Sequence, residues 1–287
     1  MLWKGQRQSD NVEDRRGISG RQVAVGGGLG ALALAVIVLL LGGNPDEVLK
    51  NMQTSQPATG QEQARPLTAE EKELGEFVSV ILADTEDVWH QVFQQQGQTY
   101  REPKLVLFSN ATNSACGNAQ SAVGPFYCSG DEKVYIDLGF FQEMQQRLGA
   151  RGDFAWAYVI AHEVGHHVQN LLGVMQQVQE RMQGMDKEEV NRMSVRLELH
   201  ADFLAGVWAH HAQRLKGLME EGDIEEGMNA ASAVGDDRIM KQQQGYVVPD
   251  AFTHGTSAQR VRWFSKGLQS GDLSQGNGIF SLAYDEI

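Results

Sequence analysis

His162 and His166 stand four positions apart in the run Ala161-His162-Glu163-Val164-Gly165-His166-His167. On a helix, positions i and i+4 share a face, so both imidazoles can reach one metal ion, and Glu163 can reach a water on that ion. This is the residue set of a hydrolytic zinc centre; the plainer reading is a chance match of five residues. A catalytic zinc takes three protein ligands and keeps a position for water. The expected third ligand is Glu198, which pairs at i and i+4 with Asp202 on a helix that also carries Leu197, Leu204 and Trp208. Asp202 is the expected acceptor for the free ring nitrogen of a ligand histidine, fixing its tautomer. A solvated acidic face is the plainer reading of that pair. His200 is a rival ligand, but it lies on the far side of the helix when Glu198 faces in. His254, in a glycine-containing loop before a helix, is placed to stabilise an oxyanion, or merely to bond nearby backbone. His167 points to another helix face and reads as structural or supporting.

These side chains need elements that hold them. Phe154 to Leu172 is apolar on every side, which is the pattern of a buried helix, with Asp153 as its expected cap. A histidine and a glutamate inside it are costly unless they bind something, and this favours the metal. Gly165 removes a side chain between the two histidines and allows a neighbouring element or a substrate to come close. Asp236-Asp237-Arg238 reads as a structural salt-bridged cluster or as part of a substrate cleft.

The chain has 287 residues and a net charge of −13. No basic surface is on offer to neutralise phosphates, which argues against a nucleic-acid partner. Residues 1–21 carry Lys4, Arg7, Arg15, Arg16 and Arg21 against three acids and read as a polar, mobile tail. Residues 22–45 hold no charge, and Leu29 to Leu41 is almost wholly apolar. Residues 22–43 are therefore the expected transmembrane signal anchor in a lipid bilayer; Leu41-Gly42-Gly43-Asn44 offers no cleavage site for a signal peptide. The positive-inside rule keeps the basic tail cytoplasmic and sends the rest outside, to a periplasmic or extracellular position on the plasma (inner) membrane. Cys116 and Cys128 would pair there as a disulfide; in a reducing compartment they would be two buried thiols.

Residues 44–66 read as a linker, 67–269 as the folded domain and 270–287 as a flexible tail. Thr68 and Glu71 form a capping box for a long amphipathic helix ending near Gly97. Strands are expected over 104–108 and 133–138, the second offering an edge to an extended peptide. Helices are expected over 140–148, 174–186, 220–243 and 257–268.

HExxH followed by E-x-x-A-D resembles the gluzincin metallopeptidases. More closely, Pro125-Phe126-Tyr127-Cys128, Val134-Tyr135-Ile136-Asp137, the run from His162 to Gln169, Gly235-Asp236-Asp237-Arg238 and His254-Gly255-Thr256-Ser257-Ala258-Gln259-Arg260 resemble the bacterial neutral zinc metallopeptidase family, whose members are typically membrane-anchored. The resemblance implies a zinc-like ligand set of His162, His166 and Glu198, with Glu163 as base and a peptide or protein substrate. The expected fold is α+β and predominantly helical, a zincin-like domain with a small β-sheet behind a single N-terminal transmembrane helix. The competing reading is a non-catalytic, membrane-anchored binding or scaffold protein whose zinc is structural; His200, His167 or a cysteine would then complete a four-ligand shell.

Overall fold

The computed structural model describes residues 1–16, 66–120 and 124–287. The expected anchor over 22–43 and nearly all of the linker over 44–66 lie outside the described residues. None of the described helices is long and apolar enough to cross a membrane.

The fold is α+β and mostly helical. Its strands are β1 (Val12–Asp14), β2 (Lys104–Phe108), β3 (Ala111–Ser114), β4 (Gly117–Gln120), β5 (Phe126–Cys128) and β6 (Lys133–Asp137). Its helices are α1 (Ala69–Gln95), α2 (Gly139–Glu143), α3 (Asp153–Leu171), α4 (Val174–Met182), α5 (Lys187–Lys216), α6 (Asp223–Ala233), α7 (Asp236–Gln244) and α8 (Ser257–Ser270). A four-stranded sheet runs β1-β2-β6-β5, with the first three strands parallel and β5 antiparallel at the edge. β3 and β4 form a separate hairpin. Cys116, between them, is joined to Cys128 at the end of β5 by the expected disulfide.

α3 is the buried helix that its composition predicts, with Phe154, Ala157, Ile160, Val164 and Val168 all essentially inaccessible. α1, α5, α6 and the sheet surround it. α5 comes close at Gly165, where a Cβ would stand 3.0 Å from the Ala201 carbonyl oxygen. α5 and α8 approach through Gly206 and Gly267, where a Cβ on either would collide with the backbone of the other helix. This contact brings the base of α8 beside Asp202. Thr68 and Glu71 form the predicted capping box on α1; Thr256 and Gln259 do the same for α8, which begins at Ser257.

The N-terminal tail is corrected. Over residues 1–16 it is packed structure: β1 pairs in parallel with β2, Val12 to Leu105 and Asp14 to Leu107. Trp3 is buried against Phe77 with ring centroids 5.3 Å apart. The basic residues are neutralised from within the domain: Arg7 meets Glu86 and Asp87, and Arg16 donates to Asp14 and to the Glu71 carbonyl. The tail's few apolar residues only make sense beside partners about ninety residues away, so no local periodicity announces the strand.

The C-terminal tail is corrected likewise. Residues 270–287 form short 3-10 turns with Leu273, Ile279 and Ile287 buried, and Arg196 of α5 donates to the carbonyls of Ile279 and Leu282. The single helix expected over 220–243 is two, broken at Val234-Gly235 because Gly235 lies directly against Ser257, where a Cβ would meet backbone. β6 is interior to the sheet, so the edge available to an extended peptide is β5 and not the strand at 133–138.

Candidate metal centre

The turns of α3 that carry His162, Glu163 and His166 face the turn of α5 that carries Glu198 and Asp202. His162, His166 and Glu198 each place one ligand atom in a group whose members all lie within 4.8 Å of one another. Glu198 Oε2 stands 3.2 Å from His162 Nε2, and its Oε1 stands 3.4 Å from His166 Nε2. Bonds of about 2.0–2.1 Å around a tetrahedral zinc place neighbouring ligands about 3.3–3.4 Å apart. The donor set suits zinc, and the two histidine-to-carboxylate separations, each to its own Glu198 oxygen, are of that size.

The far nitrogen of each imidazole is occupied. His162 Nδ1 donates to Asp202 Oδ1 at 2.8 Å, an arrangement that would leave the Nε2 lone pair for a bound metal. His166 Nδ1 donates to Gln169 Oε1 at 2.9 Å. The orientation of the Gln169 amide is fixed by its other end, whose Nε2 donates to the Leu197 carbonyl at 2.7 Å and faces His200 Nδ1 at 3.1 Å. Such partners hold both the tautomer and the ring plane of a ligand histidine.

Asp202 is in turn held by Arg260 of α8, whose Nε donates to Oδ2 at 2.8 Å and whose Nη2 donates to Oδ1 at 2.9 Å. Tyr158, one turn before His162, donates its hydroxyl to the same carboxylate. Burial works against a charged Asp202, but Arg260 and His162 outweigh it and keep the carboxyl below its ordinary range. Glu198 is likewise held well below that range: burial opposes its charge, and the two imidazoles overcome the penalty. Glu163 differs. Burial pushes its carboxyl up, the nearby imidazoles only partly offset this, and it makes no hydrogen bond or ion pair among the described residues.

His254 lies half-exposed on the rim of the same cleft. Asp236 organises its loop: Oδ2 accepts from the backbone N–H groups of Thr253, His254 and Gly255, and Oδ1 lies 3.2 Å from His254 Nδ1. Desolvation lowers the basicity of His254, but the bond to Asp236 and the charge of Glu198 raise it above the ordinary histidine value. Asp237 accepts from Ser257 and pins the start of α8. The Asp236-Asp237 pair is thus both structural and a support for the cleft.

The rival ligands lie elsewhere. His200 stacks on Phe203, and burial depresses its pKa to about 4, so it stays neutral. His167 is fixed between Tyr127 and the Arg101 carbonyl, and the cysteines are joined to each other. Among the described residues no fourth side chain joins the three at the centre. A second acidic group, Asp153, Asp223 and Glu226, is occupied by the chain itself: the Met1 ammonium lies 3.2 Å from Asp153 and 3.3 Å from Asp223, and Glu226 accepts from Phe154 N–H.

Gln169, Arg260 and Tyr158 carry no assigned role in the sequence reading. Gln169 had a signal, being a polar residue on a helix apolar all round, three positions after His166. Tyr158 looked like one more core aromatic, and Arg260 reaches Asp202 from 58 positions away.

Two histidines and a glutamate on crossed helices, with each histidine braced from behind, define the class: a three-ligand candidate zinc centre of the metallopeptidase kind. Comparison with known sequences agrees. Residues 1–279 match the family model described as "Putative neutral zinc metallopeptidase", and the chain belongs to that family. It is similar to YpfJ of Escherichia coli K12, 51% identical over 284 residues that cover 96% of this chain and 98% of that protein. It is also similar to Rv2575 of Mycobacterium tuberculosis H37Rv, 45% identical over 183 residues covering 60% of this chain and 61% of the relative. No solved structure matches it.

Proposed function

We propose that this protein is a zinc-dependent peptidase in which Glu163 is the general base. The observation that carries the reading is the clustering of His162, His166 and Glu198, with one ligand atom of each within 4.8 Å of the others, opening on a cleft lined by buried Glu163, which has no hydrogen-bond or ion-pair partner among the described residues. His162, His166 and Glu198 would hold zinc, which would supply Lewis acidity toward an acyl oxygen and lower the pKa of water toward about 7. Glu163, made more basic by burial, takes the proton from the attacking water and hands it to the departing amine. His254, with Nδ1 committed to Asp236, has Nε2 free to donate to the oxygen on which charge develops. An extended substrate can add to the free edge of β5, where Phe126 and Tyr127 line the cleft.

Membrane attachment through residues 22–43 is part of this proposal as an association with the bilayer and not as a single crossing, because the pairing of β1 with β2 keeps the chain before and after that segment in one domain on one side. The disulfide supports an oxidising, extracytoplasmic side.

The test is cleavage of a mixed peptide library by the purified chain, with chelator and with zinc restored. Zinc-dependent release of new amino termini is expected. A chain that carries one zinc and releases none would favour the scaffold reading.

A further inference from the structure

A second cavity, of about 480 Å³, lies between α4, α5 and the C-terminal 3-10 turns Leu273–Gln275 and Asn277–Phe280. Arg196 ties the last of these turns to α5 by donating to the Ile279 carbonyl. His200 lines the cavity although it is only 1% exposed, and it lies about 200° round α5 from Glu198. Its ring has one hydrogen to spare. Gln169 Oε1 accepts from His166, so Gln169 Nε2 is the donor to both the Leu197 carbonyl and His200 Nδ1. With Nδ1 accepting, the neutral imidazole carries its proton on Nε2. That N–H has no acceptor among the described residues. Position 276 leaves it uncovered: a Cβ on Gly276 would stand 2.9 Å from His200 Nε2 and 2.5 Å from Phe203. A buried donor without an acceptor is costly, so the cavity favours a ligand oxygen at Nε2.

The rim supplies a charge of one sign. Among the described residues lining the cavity, Arg181 of α4 is the only one that carries a full charge, and its guanidinium makes no hydrogen bond or ion pair among the described residues. Gln177, Ser274, Asn277 and Ser281 add amide and hydroxyl groups, and no described carboxylate lines the wall. In a chain of net charge −13, a cavity with one unpaired cation and no acid selects an anion. Buried Leu204 and Leu273 beside the His200 N–H suit a carboxylate on a short carbon chain better than a fully hydrated inorganic ion.

We propose that this cavity binds a small organic carboxylate between the His200 Nε2–H and the Arg181 guanidinium, and that its occupancy strengthens His166 as a metal ligand. The link runs from His200 through Gln169 to His166. A carboxylate accepting from Nε2 enriches the Nδ1 lone pair, which draws harder on the Gln169 amide hydrogen; the polarised amide oxygen then accepts more strongly from His166 Nδ1. A histidine with a stronger acceptor behind it is a better metal ligand. The coupling rests on the zinc reading of His162, His166 and Glu198, whereas binding in the cavity does not. By linkage, zinc tightens the carboxylate by the same factor as the carboxylate tightens zinc.

Two measurements test this. The zinc-loaded full chain is titrated by calorimetry with succinate, and with acetylglycine as a mimic of the carboxyl end of a peptide, each beside its amide. Binding of an acid and not of its amide is expected, and the tighter acid tells a free metabolite from a chain end. Arg181→Ala, at an exposed position, should weaken that binding about tenfold or more, and so should His200→Phe, which keeps an aromatic ring on Phe203. Lys241→Ala, on α7 and outside the cavity, should leave it unchanged. Zinc affinity, read by competition with a chromophoric chelator, should rise about fivefold with the acid bound in wild type and stay level in Arg181→Ala. That comparison cancels any zinc binding by the acid itself. No heat specific to the acids, binding that Arg181→Ala leaves intact, or a zinc affinity that the bound acid does not move would overturn the proposal while leaving the zinc reading standing. A chain that takes up no zinc would sink that reading and the coupling with it.

Discussion

Asp202 binds His162 Nδ1 at 2.8 Å through one oxygen and Arg260 Nε at 2.8 Å through the other, so a ligand histidine and a buried guanidinium share a single carboxylate. Asp202, Arg260 and Tyr158 lie almost wholly inside the protein. In that setting each member depends on the others, because removing one strands the charge of the next.

Two outcomes follow for this network. Asp202→Asn should weaken zinc binding about 10- to 100-fold, read by competition with a chromophoric chelator. Arg260→Leu should destabilise the fold by about 3 kcal/mol or more, read by denaturant unfolding of the zinc-loaded chain, since it leaves Asp202 buried without its cation. An unchanged zinc affinity in the first variant would show that His162 needs no such brace.

Gln169 should matter in proportion to its bond with His166. Gln169→Leu removes the acceptor that holds Nδ1–H and frees the ring to turn, with an expected loss of about tenfold in zinc affinity. Gln169→Glu keeps an acceptor and should retain more of it. Equal losses in both would point to packing against His200 and not to the tautomer.

The pH profile should report the pair formed by Asp236 and His254. Asp236 raises the pKa of His254, so the imidazole keeps its proton, and its ability to donate, to higher pH than an ordinary histidine. Activity is then expected to fall as pH rises through that raised value. Asp236→Asn lowers it and should move the alkaline limb of kcat toward lower pH, whereas His254→Ala should remove that limb and cost about 10²–10³ in kcat.

The strand β1 makes a prediction about sidedness. Cysteines introduced singly at Gln8 and at Gln94, both exposed, should react with an impermeant maleimide from the same side of the membrane in intact cells. Reaction from opposite sides would contradict the pairing of Val12–Asp14 with β2. Trp3→Ala should cost about 3 kcal/mol of domain stability, because that ring is buried against Phe77.

What the sequence made legible divides along range of interaction. HExxH, the Glu198 and Asp202 pair and the apolar faces of α1 and α3 are written at helical spacing, so local periodicity places them. The gap between Gly235 and Ser257, the break between α6 and α7, and the bond from Arg260 to Asp202 depend on which helices happen to cross, and no local pattern encodes that. Residues 1–16 mislead for the same reason. Their charges resemble a solvated tail until Glu86, Asp87 and the Glu71 carbonyl are brought alongside. β6 reads as a strand from its alternation, but whether it is an edge depends on where Phe126–Cys128 pairs.

Glu163 is the proposed base beside a metal that it does not bind. The direct measurement is zinc content and peptide cleavage for Glu163→Gln against wild type, on the same preparation. One zinc per chain in both, with cleavage reduced by at least about a thousandfold in the variant, is the predicted result. Cleavage at the wild-type rate with zinc retained would contradict it.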